Sequence, residues 1–378
     1  MRELCNSKGN NMKYDFLIVG AGYAGAVAAR ELADAGHKVL VVDKRNHIGG
    51  NAFDTLDENG VLIHPYGPHI FHTNSRKIFE YLSRFTEWRF YEHRVLAKEK
   101  DAYYPIPINR LTINKVFNIN LSEEEVEGFL DTKRVKKTEI KTSEDVVLNS
   151  VGHELCEMFF RGYTRKQWDL DLSDLAAGVA ARIPTRTNDD DRYFSDTFQM
   201  MPSHGYTAMF ERILDSNNIE VKLSFDYLLN RKEMNFDKLI FTGPIDAYYE
   251  NCFGKLPYRS LRFQHEHFDV DQFQSVGTVN YPNEQDFTRI TEFKHITGQV
   301  VAGTSIVKEY SQSSGDPYYP VPNPINESLY QKYLAKAELE KNVYFVGRLA
   351  QYRYYNMDQV VGSSLNLVKN ILGKNLVK

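Results

Sequence analysis

The sequence predicts an α/β fold, and three observations carry that reading. A strand, a glycine turn, a helix and a second strand follow one another in "KYDFLIVGAGYAGAVAARELADAGHKVLVVDK". The stretch from about 122 to 182 is the most helical, and from 258 to 310 the chain breaks into short alternating segments. Together they describe a Rossmann-like domain with an inserted helical bundle and an antiparallel β-sheet domain.

Phe16 to Val19 form an apolar run of buried-strand length, Ala24 to Ala35 follow a helical period that Gly36 ends, and Val39 to Val42 make the second strand. Residues 75–88, "SRKIFEYLSRFTEW", predict an amphipathic helix capped by Ser75, with Ile78, Tyr81, Leu82 and Phe85 on one face. "SEEEVEGFL" opens a further helix on a Ser cap followed by acidic first-turn residues, and the charged run "DTKRVKKTEIK" reads as a solvated face. "RSLRFQHEHF", "SVGTVNY", "TRITEFKH" and "QVVAGTSIVKEY" read as antiparallel strands, and the chain closes on a strand, a loop and an amphipathic helix in "NVYFVGRLAQYRYYNMDQVVGSSLNLVKNIL". With no internal repeat or low-complexity linker, the units are expected to interweave. We place the dinucleotide domain at 13–88, 204–250 and 338–378, the helical domain at 105–188, and the sheet domain at 89–104, 189–203 and 251–337. Residues 1–12 are expected to be a disordered extension.

A formal charge of -4 over 378 residues argues against nucleic-acid binding, which needs a basic excess. Cys5, Cys156 and Cys252 are odd in number and far apart, which favours a reducing compartment and a cytoplasmic protein. No apolar run reaches a membrane span, and "MRELCNSKGNN" lacks the apolar stretch of a signal peptide.

The chemistry starts at Gly20, Gly22 and Gly25, a G-x-G-x-x-G in the strand-to-helix context that cradles a pyrophosphate, with Asp43 ending the next strand where it can accept ribose hydroxyls. In "DKRNHIGGNA" the acid is followed by Gly49 and Gly50, an extension that resembles FAD proteins of the amine-oxidase and glutathione-reductase type, so FAD is favoured over NAD. Gly347-Arg348 follows a late strand, and Asn356 stands three before Gln359 at the start of the last helix, a capping-box spacing whose helix N-terminus suits a reduced flavin's negative charge.

"RNHIGGNA", "YGPHIFHTN", "GYTRKQW", "RIPTRTNDDDRYFSDTFQ", "TGPIDAYY", "YRSLRF", "DPYYPV" and "GRLAQYRYYNMDQV", in order from about residue 13 to 372, together resemble the bacterial UDP-galactopyranose mutase family. Only the N-terminal extension and residues 110–150 are poorly covered. The resemblance implies a non-redox flavin enzyme that interconverts UDP-galactopyranose and UDP-galactofuranose through attack of reduced FAD N5 on the anomeric carbon, with NAD(P)H as external reductant. It also implies supply of the furanose to cell-surface polysaccharide, and a homodimer or higher homo-oligomer.

By the same resemblance Arg182, on a mobile loop, and Arg289 hold the diphosphate, a task the arginine fork suits. Phe160, Tyr163 and Trp168 wall the uridine, Tyr193, Tyr318 and Tyr354 hydrogen-bond the diphosphate, Arg259 acts near the site, and His93 touches the ligand. Cofactor contacts are implied at Ala24, Lys44, Gly50, Asn51, His69, Ile70, Arg348, Asn356, Met357 and Gln359, beside the glycine turn. Two departures, Asn356 where the family usually has aspartate and Pro68 where it commonly has alanine, leave open a mutase of an N-acetylated or deoxy hexose. A flavin oxidase and a nucleotide-sugar binder without turnover are the other readings.

Three histidines, His64, His69 and His72, cluster around "YGPHIFHTN". No cysteine or carboxylate set accompanies them, so no metal is expected. His64 reads as a satisfied core residue, His69 as a flavin-side residue, and His72 as a catalytic group near flavin N5. The acidic run Asp189 to Asp191 is expected to be a solvated loop.

Overall fold

The computed structural model describes residues 13–373, so the expectation for residues 1–12 lies outside the described residues. The first strand, β1 (Tyr14–Val19), turns at Gly20 into α1 (Tyr23–Asp34), which returns along β2 (Val39–Val42). A hairpin of β3 (Thr55–Leu56) and β4 (Leu62–Ile63) precedes β5 (Phe71–Thr73), α2 (Arg76–Leu82) and β6 (Trp88–Phe90). After the hairpin of β7 (Val95–Glu99) and β8 (Ala102–Ile106) come four helices, α3 (Arg110–Phe117), α4 (Glu123–Lys133), α5 (Ser143–Leu155) and α6 (Gly162–Trp168). The chain then forms β9 (Phe198–Pro202), which pairs with β5 and β6, followed by α7 (Gly205–Leu214), β10 (Ile219–Lys222), β11 (Phe236–Phe241) and α8 (Ile245–Tyr248). It then forms β12 (Tyr258–Phe268), β13 (Thr278–Asn280), β14 (Arg289–Glu292), α9 (Phe293–Thr297), β15 (Thr304–Gln312) and β16 (Tyr319–Pro320). Last come α10 (Pro324–Ala337), β17 (Val343–Phe345) and α11 (Met357–Ile371).

Five parallel strands, in the order β10-β2-β1-β11-β17, make one sheet. In chain order this is 3-2-1-4-5, the doubly wound pattern whose direction reverses beside β1, and ligands bind at such a reversal. Because successive strand side chains alternate, Phe16 and Ile18 enter the core under α1, α7 and α11 while Leu17 joins Leu40, Val42, Leu239 and Phe241 on the opposite face. Leu17 and Ile18 are both fully buried, which stabilises the fold by roughly 1.5–3 kcal/mol each. Ser364 of α11 donates to the Ala24 carbonyl at 2.6 Å, fastening the last helix to the first. A second core, with Ile113, Val126, Leu130, Val147, Val151 and Leu155, joins α3, α4 and α5 to β7 and β8.

The larger sheet has seven strands in the order β16-β12-β15-β14-β13-β7-β8. Its pairs are antiparallel as expected except one, since β13 and β7 run parallel. "TRITEFKH" is strand only to Glu292; Phe293 and Ile296 are fully buried and turn the remainder into α9. Ser75 does cap α2, accepting from the Ile78 N–H, but the helix stops at Leu82 and not at 88. Trp88 to Phe90 are recruited by β9, in the register Trp88 to Pro202, and Trp88 stacks on Phe71 at 4.9 Å. Nor is Asp189 to Asp191 a merely solvated loop: Asp189 pairs with Arg110, Asp190 with Arg192 and Asp191 with Arg94. The run "DTKRVKKTEIK" is largely solvated, but Lys133 pairs with Glu154, Val135 packs on the helical core, and Arg134 binds the Ser150 carbonyl and the carboxylates of Glu127 and Asp131. Among the described residues no helix is long and apolar enough to cross a membrane.

Candidate active site

The glycine turn lies at the reversal point of the parallel sheet. Gly20 has φ +108°, and a Cβ there would meet Thr242 Oγ1 at 2.0 Å; one on Gly25 would meet the Gly20 carbonyl oxygen at 1.8 Å. Gly22 and Gly50 face each other backbone to backbone, with a Cβ on Gly50 only 3.0 Å from the Gly22 Cα. Helix α1 opens at Gly22 without a side-chain cap and without an acidic residue in its first turn, so its N–H groups are left for an anion. The cradle fits a dinucleotide pyrophosphate. Asp43 Oδ2 accepts the Ala21 N–H at 2.8 Å and Oδ1 the Arg45 N–H at 2.9 Å. The acid expected at the ribose therefore also pins the turn to β2, each oxygen keeping a second lone pair. Beside it Lys44 pairs with Asp316 at 2.9 Å and Asn51 Oδ1 accepts from Arg45 Nη1 at 2.9 Å. Ala24, on the first turn of α1, touches the Gly347 turn.

From there a cleft of about 780 Å³ opens between the parallel sheet, the inserted helices and the seven-stranded sheet. Of the residues anticipated from the sequence it brings together His69, Ile70, His72, His93, Phe160, Tyr163, Trp168, Arg182, Tyr193, Arg289, Arg348, Tyr354, Asn356, Met357 and Gln359.

Three arginines converge on it. Arg289, on β14, is gripped by Glu309 of the neighbouring β15, with Nε at 3.0 Å from Oε2 and Nη2 at 2.7 Å from Oε1. Burial would lower the Arg289 pKa, but the adjoining carboxylate outweighs it and holds the guanidinium charged well above its ordinary range. Two of its five N–H donors are used, so three remain for a ligand. Arg182 reaches across from the loop after α6, donating to the Tyr354 carbonyl at 3.3 Å and to Asn356 Oδ1, with its guanidinium 4.2 Å above the Tyr354 ring. Arg348 donates to the Tyr355 carbonyl at 2.7 Å and lies 5.2 Å over the Tyr319 ring. Asn356 opens α11 as anticipated: its N–H donates to Gln359 Oε1 at 2.8 Å.

An aromatic box closes the other end. The Trp168 ring meets Tyr354 edge-on at 5.6 Å, and Tyr354 meets Tyr319 edge-on at 5.3 Å. Burial raises the pKa values of Tyr163, Tyr193 and Tyr319, so all three keep their hydroxyl protons and can donate to phosphate oxygens. The histidines diverge. Burial pushes His64 down to about 4, and His69 and His93 down to about 3, so these rings are neutral. His64 is in the core, where its Nδ1 accepts from the His69 N–H at 3.1 Å, but its Nε2 has no partner, so it is only half-satisfied. His72 alone carries a carboxylate, Asp196, at 2.9 Å.

Two anticipated ligand residues lie off the cleft wall. Arg259, 5% exposed, donates to the Gln167 carbonyl at 3.0 Å and to Ser311 Oγ at 3.0 Å from Nη2, so it clamps the end of α6, and with it Trp168, onto β15. Tyr318 is packed against Phe263 while Tyr319 faces the cleft, since adjacent strand residues point to opposite sides. Sequence reasoning missed Tyr319, Glu309, Asn280 and Asp196. Each is placed by strand register or loop closure; Tyr319 and Asp196 stand inside quoted motifs, but nothing local in those motifs singles them out. Among the described residues no group of His, Cys, Asp or Glu could hold a metal ion.

Fold and site together define a Rossmann-like dinucleotide-binding α/β protein with a second cleft, lined by arginine, tyrosine and tryptophan, that opens beside the dinucleotide turn. The family model for an NAD(P)-binding Rossmann-like domain matches residues 18–85, and that for UDP-galactopyranose mutase matches residues 158–354. A protein of Klebsiella pneumoniae named "Probable UDP-galactopyranose mutase" is 40% identical over 365 residues, 95% of this chain and 94% of that protein. A dTDP-fucopyranose mutase of Escherichia coli is 35% identical over 373 residues, 95% of this chain and 98% of its own. A crystal structure of reduced UDP-galactopyranose mutase superposes with a TM-score of 0.76 at 17% identity, covering 96% of this chain and 95% of the other, which shows the shared fold. The chain belongs to the UDP-galactopyranose mutase family, a family of isomerases.

Proposed function

We propose that this chain interconverts the pyranose and furanose forms of UDP-galactose, with FAD in the glycine cradle and NAD(P)H as its external reductant. The observation that carries the reading is the convergence of Arg182, Arg289 and Arg348 with a Trp and Tyr box in a cleft that adjoins the dinucleotide turn. Bound, reduced FAD supplies nucleophilic displacement of the diphosphate at the anomeric carbon.

The chain's own residues do the rest. Gly20, Gly22 and Gly25 with the α1 N-terminus hold the pyrophosphate, and Ile70, Arg348, Met357 and the α11 N-terminus border the flavin side. The free donors of Arg289 and Arg182 take the charge that grows on the departing diphosphate. Tyr193, Tyr319 and Tyr354 donate hydroxyl hydrogens to it, and Phe160, Tyr163 and Trp168 bracket the base, whose apolar faces they keep from water.

The dTDP-fucopyranose mutase relative supports a second reading, a deoxy sugar on a thymidine carrier. A panel of reduced protein with UDP-galactofuranose, its N-acetylated analogue and dTDP-fucofuranose, followed by anion-exchange chromatography, separates them. Conversion of UDP-galactofuranose with the highest kcat/KM is expected, whereas preference for the thymidine sugar would replace the first reading by the second.

A further inference from the structure

His72 is on β5 at the cleft wall, and the chain returns over it before entering β9. The Phe194 ring stacks flat on the imidazole at 3.7 Å and 13°. Asp196 Oδ2 is 2.9 Å from Nδ1, and the other oxygen, Oδ1, accepts from Asn74 Nδ2 at 2.9 Å. Asn74 Oδ1 in turn accepts from the Thr197 N–H at 2.9 Å, and Gln199 Nε2 donates to the Asp196 carbonyl at 3.0 Å. The carboxylate is thus held by His72 and Asn74 and its backbone by Gln199 of β9, with 22% of the Asp196 side chain exposed and 14% of that of His72.

A carboxylate only accepts, so this contact puts the ring proton of neutral His72 on Nδ1 and leaves a lone pair on Nε2. Among the described residues no group takes that lone pair, and unlike His64 Nε2 it is not sealed in the core. The neighbouring titratable groups are committed to other states or partners. His93, within electrostatic reach, is kept neutral by burial, and Asp358 behind β5 accepts from Thr73 Oγ1 at 2.8 Å. Deeper in the cleft Glu309 is committed to Arg289, and the buried tyrosines hold their protons.

Resting on the mutase reading of this cleft, we propose that Asp196 is a positioning residue that fixes the tautomer and orientation of His72, and that His72 Nε2 carries the sugar's hydroxyl proton between the two ring closures. When one ring opens, its ring oxygen takes a proton; when the other closes, the attacking hydroxyl releases one. Nε2 takes the proton that the attacking nitrogen sheds on bonding the anomeric carbon and gives it to the ring oxygen as the first ring opens. It takes the proton of the attacking hydroxyl as the second ring closes and returns it to that nitrogen when the diphosphate comes back, so the proton count closes at zero and no further acid, base or oxidant is needed.

The test combines a spectrum with kinetics on the FAD-loaded protein. In the wild type labelled with 15N-histidine, the His72 ring, identified by its loss in His72→Gln, is expected to show a protonated Nδ1 and a bare Nε2; an Nε2–H tautomer overturns the proposal. In Asp196→Asn, kcat is expected to fall on the order of 10- to 100-fold, part of what positioned proton transfer contributes, while KM and UDP affinity hold and Asp196→Glu recovers part of the loss. Wild-type kcat in Asp196→Asn, or a loss confined to KM, overturns it. Should Asp196→Asn fail to fold, the wild-type tautomer and the Asp196→Glu kinetics still decide. A wild type that turns over no nucleotide sugar defeats the mutase reading itself, an outcome distinct from a wrong tautomer.

Discussion

Replacing Arg289 with Met separates what that side chain does for the fold from what it does for the ligand. Glu309 is 1% exposed and bound by two Arg289 nitrogens at 2.7 and 3.0 Å. Removing the guanidinium strands a buried carboxylate, which costs about 3–5 kcal/mol of stability. Neutralising both partners, in Arg289→Met with Glu309→Gln, is expected to recover most of that loss, because an uncharged pair no longer has a desolvated charge to satisfy. Ligand affinity follows a different course. The three donors that Glu309 leaves free are lost in both variants, and a charge-assisted hydrogen bond is worth roughly 1.5–3 kcal/mol, so UDP binding falls about 10- to 100-fold in the single and the double variant alike. Urea unfolding gives the first quantity and calorimetric titration of UDP the second. A single variant within about 1 kcal/mol of wild type, or a double variant that binds UDP normally, would refute the assignment of two separate roles.

Three other outcomes are expected. His64, His69 and His93 are neutral in the fold, at about 4, about 3 and about 3, against about 6.5 in the unfolded chain. The unfolded state therefore binds more protons below about pH 6.5, and these three groups lower stability by up to about 4.1 kcal/mol per pH unit as pH drops toward 4, with no contribution above 6.5; urea melts at a series of pH values read this, and a flat profile contradicts it. Gly22→Ala, whose Cβ meets nothing closer than the Gly50 Cα at 3.5 Å, should fold and lose visible flavin absorbance, whereas Gly25→Ala, at 1.8 Å from the Gly20 carbonyl oxygen, should fail to fold; flavin retained in both would show that the cradle is not the cofactor site. Arg259→Lys should loosen Trp168 and weaken UDP binding roughly 5- to 10-fold, the worth of one or two hydrogen bonds, with flavin content unchanged.

Much of the first domain was legible because its signals are local. A buried strand, a glycine turn and a 3.6-period helix declare themselves within about 30 residues, and β2 came out at Val39–Val42 as read. The errors arose where distant partners decide. Residues 83–88 continue a helical pattern, yet β9 recruits Trp88 to Phe90 as a strand. Likewise, "DPYYP" offers two tyrosines with nothing to say which faces the cleft, and the pairing of Arg259 with Tyr319 settles it. Glu309 was invisible as a partner for Arg289 because only the β14 to β15 register puts them opposite each other. Asp196 stood inside a quoted motif, but its contact with His72 depends on β5 meeting β9 across more than a hundred intervening residues.

The central claim is that the cleft isomerises a nucleotide-linked sugar only when the bound flavin is reduced. Purified protein incubated with UDP-galactofuranose under dithionite, and in parallel in air, tests it by chromatography of the nucleotide sugars. The account predicts UDP-galactopyranose in the reduced sample and none in the oxidised one. Unchanged UDP-galactofuranose in both samples, with FAD bound, would contradict it.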